Sequence, residues 1–258
     1  MALKYIDISV HNGDIDFAKL AGKVDGVIIR AGYGKNNIDK KFKRNAEGCT
    51  NHNIPFGVYW FSYALTAADA KREAEYCLQA IKPYKVQLPV CFDLEYDSRR
   101  YALQQGVNIN MQLASDMVKA FCDTVEKAGY FAMNYANEDY CKNYFTDEVL
   151  RKYALWYARY TKELTGQPRN CGIWQYTSNG TVAGVQGAVD VNKVFYDYKQ
   201  IIENKKLNHL QDEAEPQAWY AEAQAWAMAQ GITDGSRPTE PATRAEVWKM
   251  LQNMNGGA

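Results

Sequence analysis

Short apolar runs rich in β-branched and aromatic side chains recur along most of the chain. They fall at 4–9 (KYIDIS), 25–30 (DGVIIR), 55–62 (PFGVYWFS) and 88–94 (LPVCFDL), and read as buried parallel strands. The stretches between them carry helical periodicity. Ala70, Ala74, Cys77, Leu78 and Ile81 form one stripe, on a helix opened by the capping sequence Thr66-Ala67-Ala68-Asp69. Ala114, Val118, Phe121, Cys122 and Val125 repeat the spacing, and Gly129 supplies the stop. Beyond Gly129 the strands come faster, at 130–135, 153–158, 172–176 and 187–191, with Asn179-Gly180 as a hairpin-turn signal. Eight strands with good helices mainly between the early ones predict an α/β fold. Its form is an irregular eight-stranded (β/α) barrel with helices weakened in the second half.

Residues 192–204 read as a last helix on the barrel, which gives a barrel domain over 1–204. A polar linker follows at 205–216, ending at Pro216. A small helical segment over 217–258 holds two stretches, WYAEAQAWAMAQ and RAEVWKMLQNM, separated by a loop. So short a segment has little core of its own and is expected to dock on the barrel or on another copy of itself.

Composition narrows the function classes. Thirty Lys+Arg balance thirty Asp+Glu, so the basic excess of a nucleic-acid binder is missing overall. No apolar run is long enough for a membrane span, and the first residues lack the pattern of a secretory signal. The six cysteines form no C-x-x-C pair and are widely spaced, which reads as free thiols. Three scattered histidines give no zinc pattern. Gly32-Tyr33-Gly34 lacks the third glycine of a dinucleotide loop, and no G-x-S-x-G is present. No cofactor and no metal is implied.

Asp93-Leu94-Glu95 is the strongest chemical signal, because it closes an apolar strand. Alternation sends Asp93 and Glu95 to one side, about 6.5–7 Å apart along the chain. Two carboxylates buried together repel, and one of them then holds its proton into the neutral range, as a general acid must. The other strand ends add Asp7, Ser9 and His11, then Arg30, Tyr33, Tyr63, Asn134 and Tyr135. Trp156, Tyr157, Trp174, Gln175, Tyr176 and Asp190 complete the list. In a barrel, catalytic groups sit where strands meet their following loops. Asp7, Asp93, Glu95 and Asp190 are therefore expected on one rim among aromatic rings, an arrangement suited to a sugar polymer.

These segments together resemble the family 25 glycoside hydrolases, the N-acetylmuramidases of bacteria and their phages. The markers are YIDISVHNGDIDF (5–17), GVIIRAGYG (26–34), PFGVYWFSYA (55–64), PVCFDLEY (89–96), LWYARY (155–160), GIWQYTSNGTVAGV (172–185) and VDVN (189–192). The resemblance spans roughly 3–200. It implies an irregular barrel that cleaves the β-1,4 bond from N-acetylmuramic acid to N-acetylglucosamine in peptidoglycan. It makes Glu95 the proton donor and Asp93 its partner, which either orients the substrate acetamido group as an internal nucleophile or helps activate water. Asp7 and Asp190 are the remaining family acids. Tyr63, Tyr135, Gln175 and Arg30 are expected sugar contacts, with Trp156 and Tyr157 beside them. Trp60 stands where many relatives carry His.

WAMAQGITDG…PATRAE (226–246) resembles one copy of a surface-layer homology motif, a wall-attachment module. It suggests wall binding or self-association through the C-terminal segment. The expected protein is thus a phage-type endolysin, held in the host cytoplasm until release and acting at the bacterial wall. Two alternatives stand beside it: a wall-glycan-binding protein without catalysis, and a glycosidase of chitin-like glycans.

Overall fold

Apolar alternation along each strand sends one set of side chains into a barrel and the other against surrounding helices. The computed structural model describes residues 2–168, 170–208, 226, 227, 229, 230 and 232. The strands are β1 (Leu3–Ile8), β2 (Gly26–Tyr33), β3 (Asn37–Ile38), β4 (Phe56–Phe61), β5 (Val90–Asp93), β6 (Ala132–Asn137), β7 (Ala154–Ala158), β8 (Cys171–Gly180) and β9 (Val189–Val194). The helices are α1 (Phe17–Leu20), α2 (Phe42–Asn51), α3 (Ala67–Ile81), α4 (Tyr96–Gln104), α5 (Met111–Lys127), α6 (Glu138–Asn143), α7 (Asp147–Lys152) and α8 (Tyr198–Asn204).

The sheet runs β1-β9-β8-β7-β6-β5-β4-β2-β3, and β1 also pairs with β2, so eight strands close a barrel and β3 hangs from β2 as a short hairpin. Pairing is parallel from β1 through β2, β4, β5, β6 and β7 to β8. β9 is antiparallel to both β8 and β1. An antiparallel return needs no helical crossover, and that accounts for part of the thin second half. The early helices α2, α3 and α5 have 10, 15 and 17 residues, whereas α6 and α7 have 6 each.

Tyr5, Ile28, Cys91, Met133, Trp156, Ile173 and Val194 fill the barrel interior. Their neighbours Ile6, Val27, Ile29, Val90, Phe92 and Leu155 face outward onto the helices, in a layer that includes the stripes of α3 and α5. The capping expectation holds: Thr66 is the N-cap of α3, its side chain accepts from the Asp69 N–H, and its Oγ1 donates to Asp69 at 2.7 Å. Gly129, at φ 83, takes the left-handed turn that ends α5. All six cysteines are free thiols.

Two expectations are corrected. Asn179-Gly180 is not the hairpin turn; it lies within β8, with Gly180 paired to Val189, and the reversal falls at 181–188. A side chain at Gly180 would collide with Val191, so the glycine serves a close strand approach. Residues 192–194 continue β9 rather than opening the last helix. Asp190, Asn192 and Val194 lie on one face of the strand and Val189 and Val191 on the other, a period of two. α8 begins at Tyr198, capped by Asp197, whose side chain accepts from the Gln200 N–H at 3.0 Å.

The chain divides into two compact units, Met1–Leu210 and Gln211–Ala258. The polar stretch starting at 205 first belongs to the barrel. Buried Asn208 donates to the carbonyls of Val86 and Leu88 and accepts from the Phe131 N–H. In the second unit, Gln230 donates to Trp226 O at 3.0 Å and Ile232 to Ala227 O at 2.8 Å, one helical turn. The rest of the segment resembling a surface-layer motif lies outside the described residues. No helix among the described residues is long and apolar enough to cross a membrane.

Candidate active site

The C-terminal ends of the parallel strands β1 and β5 and the N-terminal start of the antiparallel β9 bring four acids to one rim. Asp7 closes the inward-facing row of β1 and is paired in register with Asp190 of β9. Asp93 ends β5, flanked in register by Phe61 of β4 and Tyr135 of β6. Glu95 follows with its backbone still extended and forms the N-cap of α4. The backbone N–H of Glu95 donates to the Ser98 hydroxyl at 3.1 Å, which fixes the strand-to-helix corner that presents the pair.

Beneath the acids runs a buried polar chain. Asn192 donates to Asp7 at 2.9 Å and accepts from the Trp156 indole N–H at 2.7 Å. Gln175 donates to the same oxygen of Asp7 at 3.0 Å, while its carbonyl accepts from the hydroxyls of Tyr135 at 3.1 Å and Tyr160 at 3.0 Å. Asn192 is completely buried and Gln175 nearly so, so every bond here replaces one that water would otherwise make. Asp93 differs: its Oδ1 is buried with no hydrogen-bond partner among the described residues. A buried carboxylate oxygen without a partner is free to accept from a bound group.

Burial raises all four acids, and repulsion from neighbouring carboxylates adds to it at Asp7, Asp93 and Glu95. Glu95 is pushed up from 4.5 to about 7, by burial first and then by Asp97 and Asp190. Asp93 is driven well above the carboxylate range by burial, Glu95 and Asp7, against the pull of Arg30. Asp7 rises to about 8 through burial and Asp190, although the bonds from Asn192 and Gln175 oppose the shift. Burial also raises Asp190. A half-buried carboxyl that keeps its proton near neutrality is equipped to protonate a leaving group.

The expected site residues divide into three groups. Asp7, Asp93, Glu95 and Asp190 lie together at the rim, and Tyr135 and Gln175 join them through the network above. Tyr63 lies on the rim, in edge contact with Tyr33 and Tyr101 at ring separations of 6.3 and 5.1 Å. Arg30 reaches the same side but is engaged by Asp39 at 2.7 Å. Two expected sugar contacts lie elsewhere. Trp156 is 2% exposed, packed edge-on against Tyr135 below the floor, where its indole holds Asn192. Tyr157, the next residue on β7, points outward into the helical layer, as alternation requires.

Sequence reading missed Asn192, Tyr160, Asp39 and Glu73. Asn192 sits inside the VDVN segment, two residues after Asp190 on the same strand face, which is a readable signal. Buried Asp39 accepts from Arg30, from the Val10 N–H at 3.1 Å and from the Lys41 N–H at 2.8 Å. It thereby ties the turn after β1 to β2 and α2, and no local pattern announces that. Trp60, where the resemblance implies His in many relatives, is buried in the helical layer and donates to Gly34 O at 3.2 Å. It leaves the acids untouched.

A closed barrel whose strand ends gather buried acids among tyrosines has the arrangement that general-acid chemistry requires. The profile described as "Glycosyl hydrolases family 25" matches residues 6–185, and the chain belongs to that family. An "Autolytic lysozyme" of Clostridium acetobutylicum is 26% identical over 192 residues, 74% of this chain and 55% of its own length. The modular autolysin LytC of Streptococcus pneumoniae, solved in complex with a synthetic peptidoglycan ligand, is 30% identical at a TM-score of 0.66. That match covers 74% of this chain and 46% of LytC. The catalytic domain of endolysin ply40, from bacteriophage P40 of Listeria monocytogenes, shares the fold at a TM-score of 0.62 and 24% identity, over 79% of this chain and 98% of its own. This chain thus spans about half the length of the first two relatives.

Proposed function

We propose that the protein is a peptidoglycan hydrolase that cleaves the β-1,4 bond between N-acetylmuramic acid and N-acetylglucosamine. The observation that carries this reading is the position of Glu95. It lies half-buried at the strand-to-helix corner, with its pKa raised to about 7, beside a deeper Asp93 whose Oδ1 has no partner among the described residues. Glu95 donates its proton to the leaving oxygen. Asp93 orients the substrate acetamido group, whose oxygen attacks the anomeric carbon as the glycosidic bond breaks. Water then opens the resulting oxazolinium ion and gives a proton back to Glu95. Both acids come from the end of one strand, which favours acetamido assistance over two carboxylates facing each other across the ring. Retained anomeric configuration in the first product supports that route, and inversion supports water activated by Asp93.

Family membership and the likeness to LytC support peptidoglycan as substrate. The test is digestion of purified peptidoglycan, with mass spectrometry of the new ends. Reducing N-acetylmuramic ends are expected. Reducing N-acetylglucosamine ends would assign a different bond, and binding without cleavage would make the protein a wall-binding module. Equal activity on chitin oligosaccharides would favour the chitin-type alternative.

The finer reading is a phage-type endolysin that stays in the host cytoplasm until release. The ply40 likeness in fold supports it, and lysis only on co-expression with a membrane pore-former is the expected behaviour. The segment after Leu210 serves self-association or wall attachment. Sedimentation of the full chain against a form ending at Leu210 tests this, and identical monomers with equal wall binding would refute it.

A further inference from the structure

On the side of the rim away from Tyr160, two cavities of about 480 and 530 Å3 share Tyr33, Tyr63 and Asp97 and so form one groove. Its tyrosines come from three elements: Tyr33 ends β2, Tyr63 follows β4 and Tyr101 belongs to α4. The groove is built rather than incidental. Gly32 has no room for a side chain, because a Cβ there would meet Asn37 O at 2.5 Å and the Trp60 ring at 2.6 Å. That close approach lets β3 fold back and form the groove wall.

The charge of the groove is opposite to that of the acid centre. Arg30, Lys35, Lys40 and Arg100 line it, against only Asp39 and Asp97. Those carboxylates are already engaged, Asp39 by Arg30 at 2.7 Å and Asp97 by Arg100 at 2.5 Å. Lys35, at the hairpin tip, and Lys40, just beyond β3, are exposed and have no ion pair among the described residues. A neutral sugar needs the tyrosines but not a surplus of cations. An anionic substituent needs both the cations and the apolar wall.

We infer that this groove takes the carboxylate-bearing peptide attached to the lactyl group of muramic acid, with Lys35 and Lys40 as its charge contacts. The inference rests on the muramidase reading above. In wall glycan the sugars are neutral once the lactyl group is amidated, and the negative charge resides in the peptide. The groove therefore reads the feature that separates wall glycan from chitin.

The test compares cleavage of uncrosslinked glycan that keeps its peptides with the same glycan after amidase removal of the peptides and capping of the freed lactyl carboxyls as neutral methylamides. Both are freed of wall phosphate polymers by acid treatment. Wild type is expected to show kcat/KM about five- to tenfold higher on the peptide-bearing glycan at low salt, falling toward equality at high salt. The exposed pair Lys35→Ala and Lys40→Ala together should abolish the preference while leaving cleavage of the stripped glycan unchanged. Equal rates by wild type on both glycans, or a preference that survives in the double variant, would overturn the inference. So would a preference seen only before the phosphate polymers are removed. Cleavage of neither glycan would overturn the muramidase reading itself.

Discussion

Glu73 offers a test of the electrostatic reasoning away from the reacting bond. It sits on α3, is 3% exposed, and its Oε1 accepts from the backbone N–H of Tyr63 at 2.9 Å, so it holds the segment that presents that ring. Burial raises its pKa from 4.5 to about 7, with the bonds from Ser62 and Tyr63 opposing. The folded state therefore binds the proton more tightly than the unfolded chain does. Its contribution is fully present below about pH 4.5 and is lost as pH rises through about 7. A tenfold change in proton affinity is worth about 1.4 kcal/mol, so ionised Glu73 costs the fold about 3 kcal/mol at pH 8. Glu73→Gln keeps the acceptor for Tyr63 and places an amide where the protonated acid has its hydroxyl. Urea unfolding at pH 8 should show the variant more stable by about 2–3 kcal/mol, with the difference shrinking to within about 0.5 kcal/mol at pH 4. A variant less stable than wild type at pH 8, or a difference independent of pH, would refute the reasoning. Either result would mean that the ionised carboxylate is held by its hydrogen bonds rather than penalised by burial.

Other parts of the site give further expectations. Asn192→Leu removes the donor to Asp7 and leaves the Trp156 N–H without an acceptor, so thermal unfolding should register a loss of about 2–4 kcal/mol. Gly32→Ala forces the β2–β3 hairpin away from Trp60, with an expected cost of about 1–3 kcal/mol by denaturant titration. Because Glu95 must be protonated to act and its pKa is raised to about 7, kcat/KM on peptidoglycan should fall tenfold per pH unit once the pH exceeds that value. A rate that is flat to pH 9 would count against Glu95 as the acid.

The barrel was legible because buried strands announce themselves by apolar runs and the early helices by a stripe and a cap. α3 is the clear case, with Thr66 capping it and Ala70, Ala74, Cys77 and Ile81 buried. The second half was harder to read. Asn-Gly looks like a turn, yet at 179–180 it lies in a bulged strand, where the need is for an absent side chain rather than for a positive φ. The four acids were readable from strand ends. The residues that hold them were not, since the bond from Gln175 to Asp7 joins positions 168 apart in sequence. Tyr157 and Trp156 show the limit from another side: adjacent aromatics on one strand must face opposite layers, and only Trp156 lies under the site.

The central claim is that Glu95 supplies the proton that breaks the glycosidic bond. Its most direct test is the single-turnover rate of peptidoglycan cleavage by Glu95→Gln beside wild type at pH 6, each first shown folded by its thermal transition. A loss of about 10²- to 10⁴-fold in rate, with glycan binding retained, is the predicted result. Cleavage within about tenfold of wild type would contradict the account, because general-acid assistance of this kind is worth more than that.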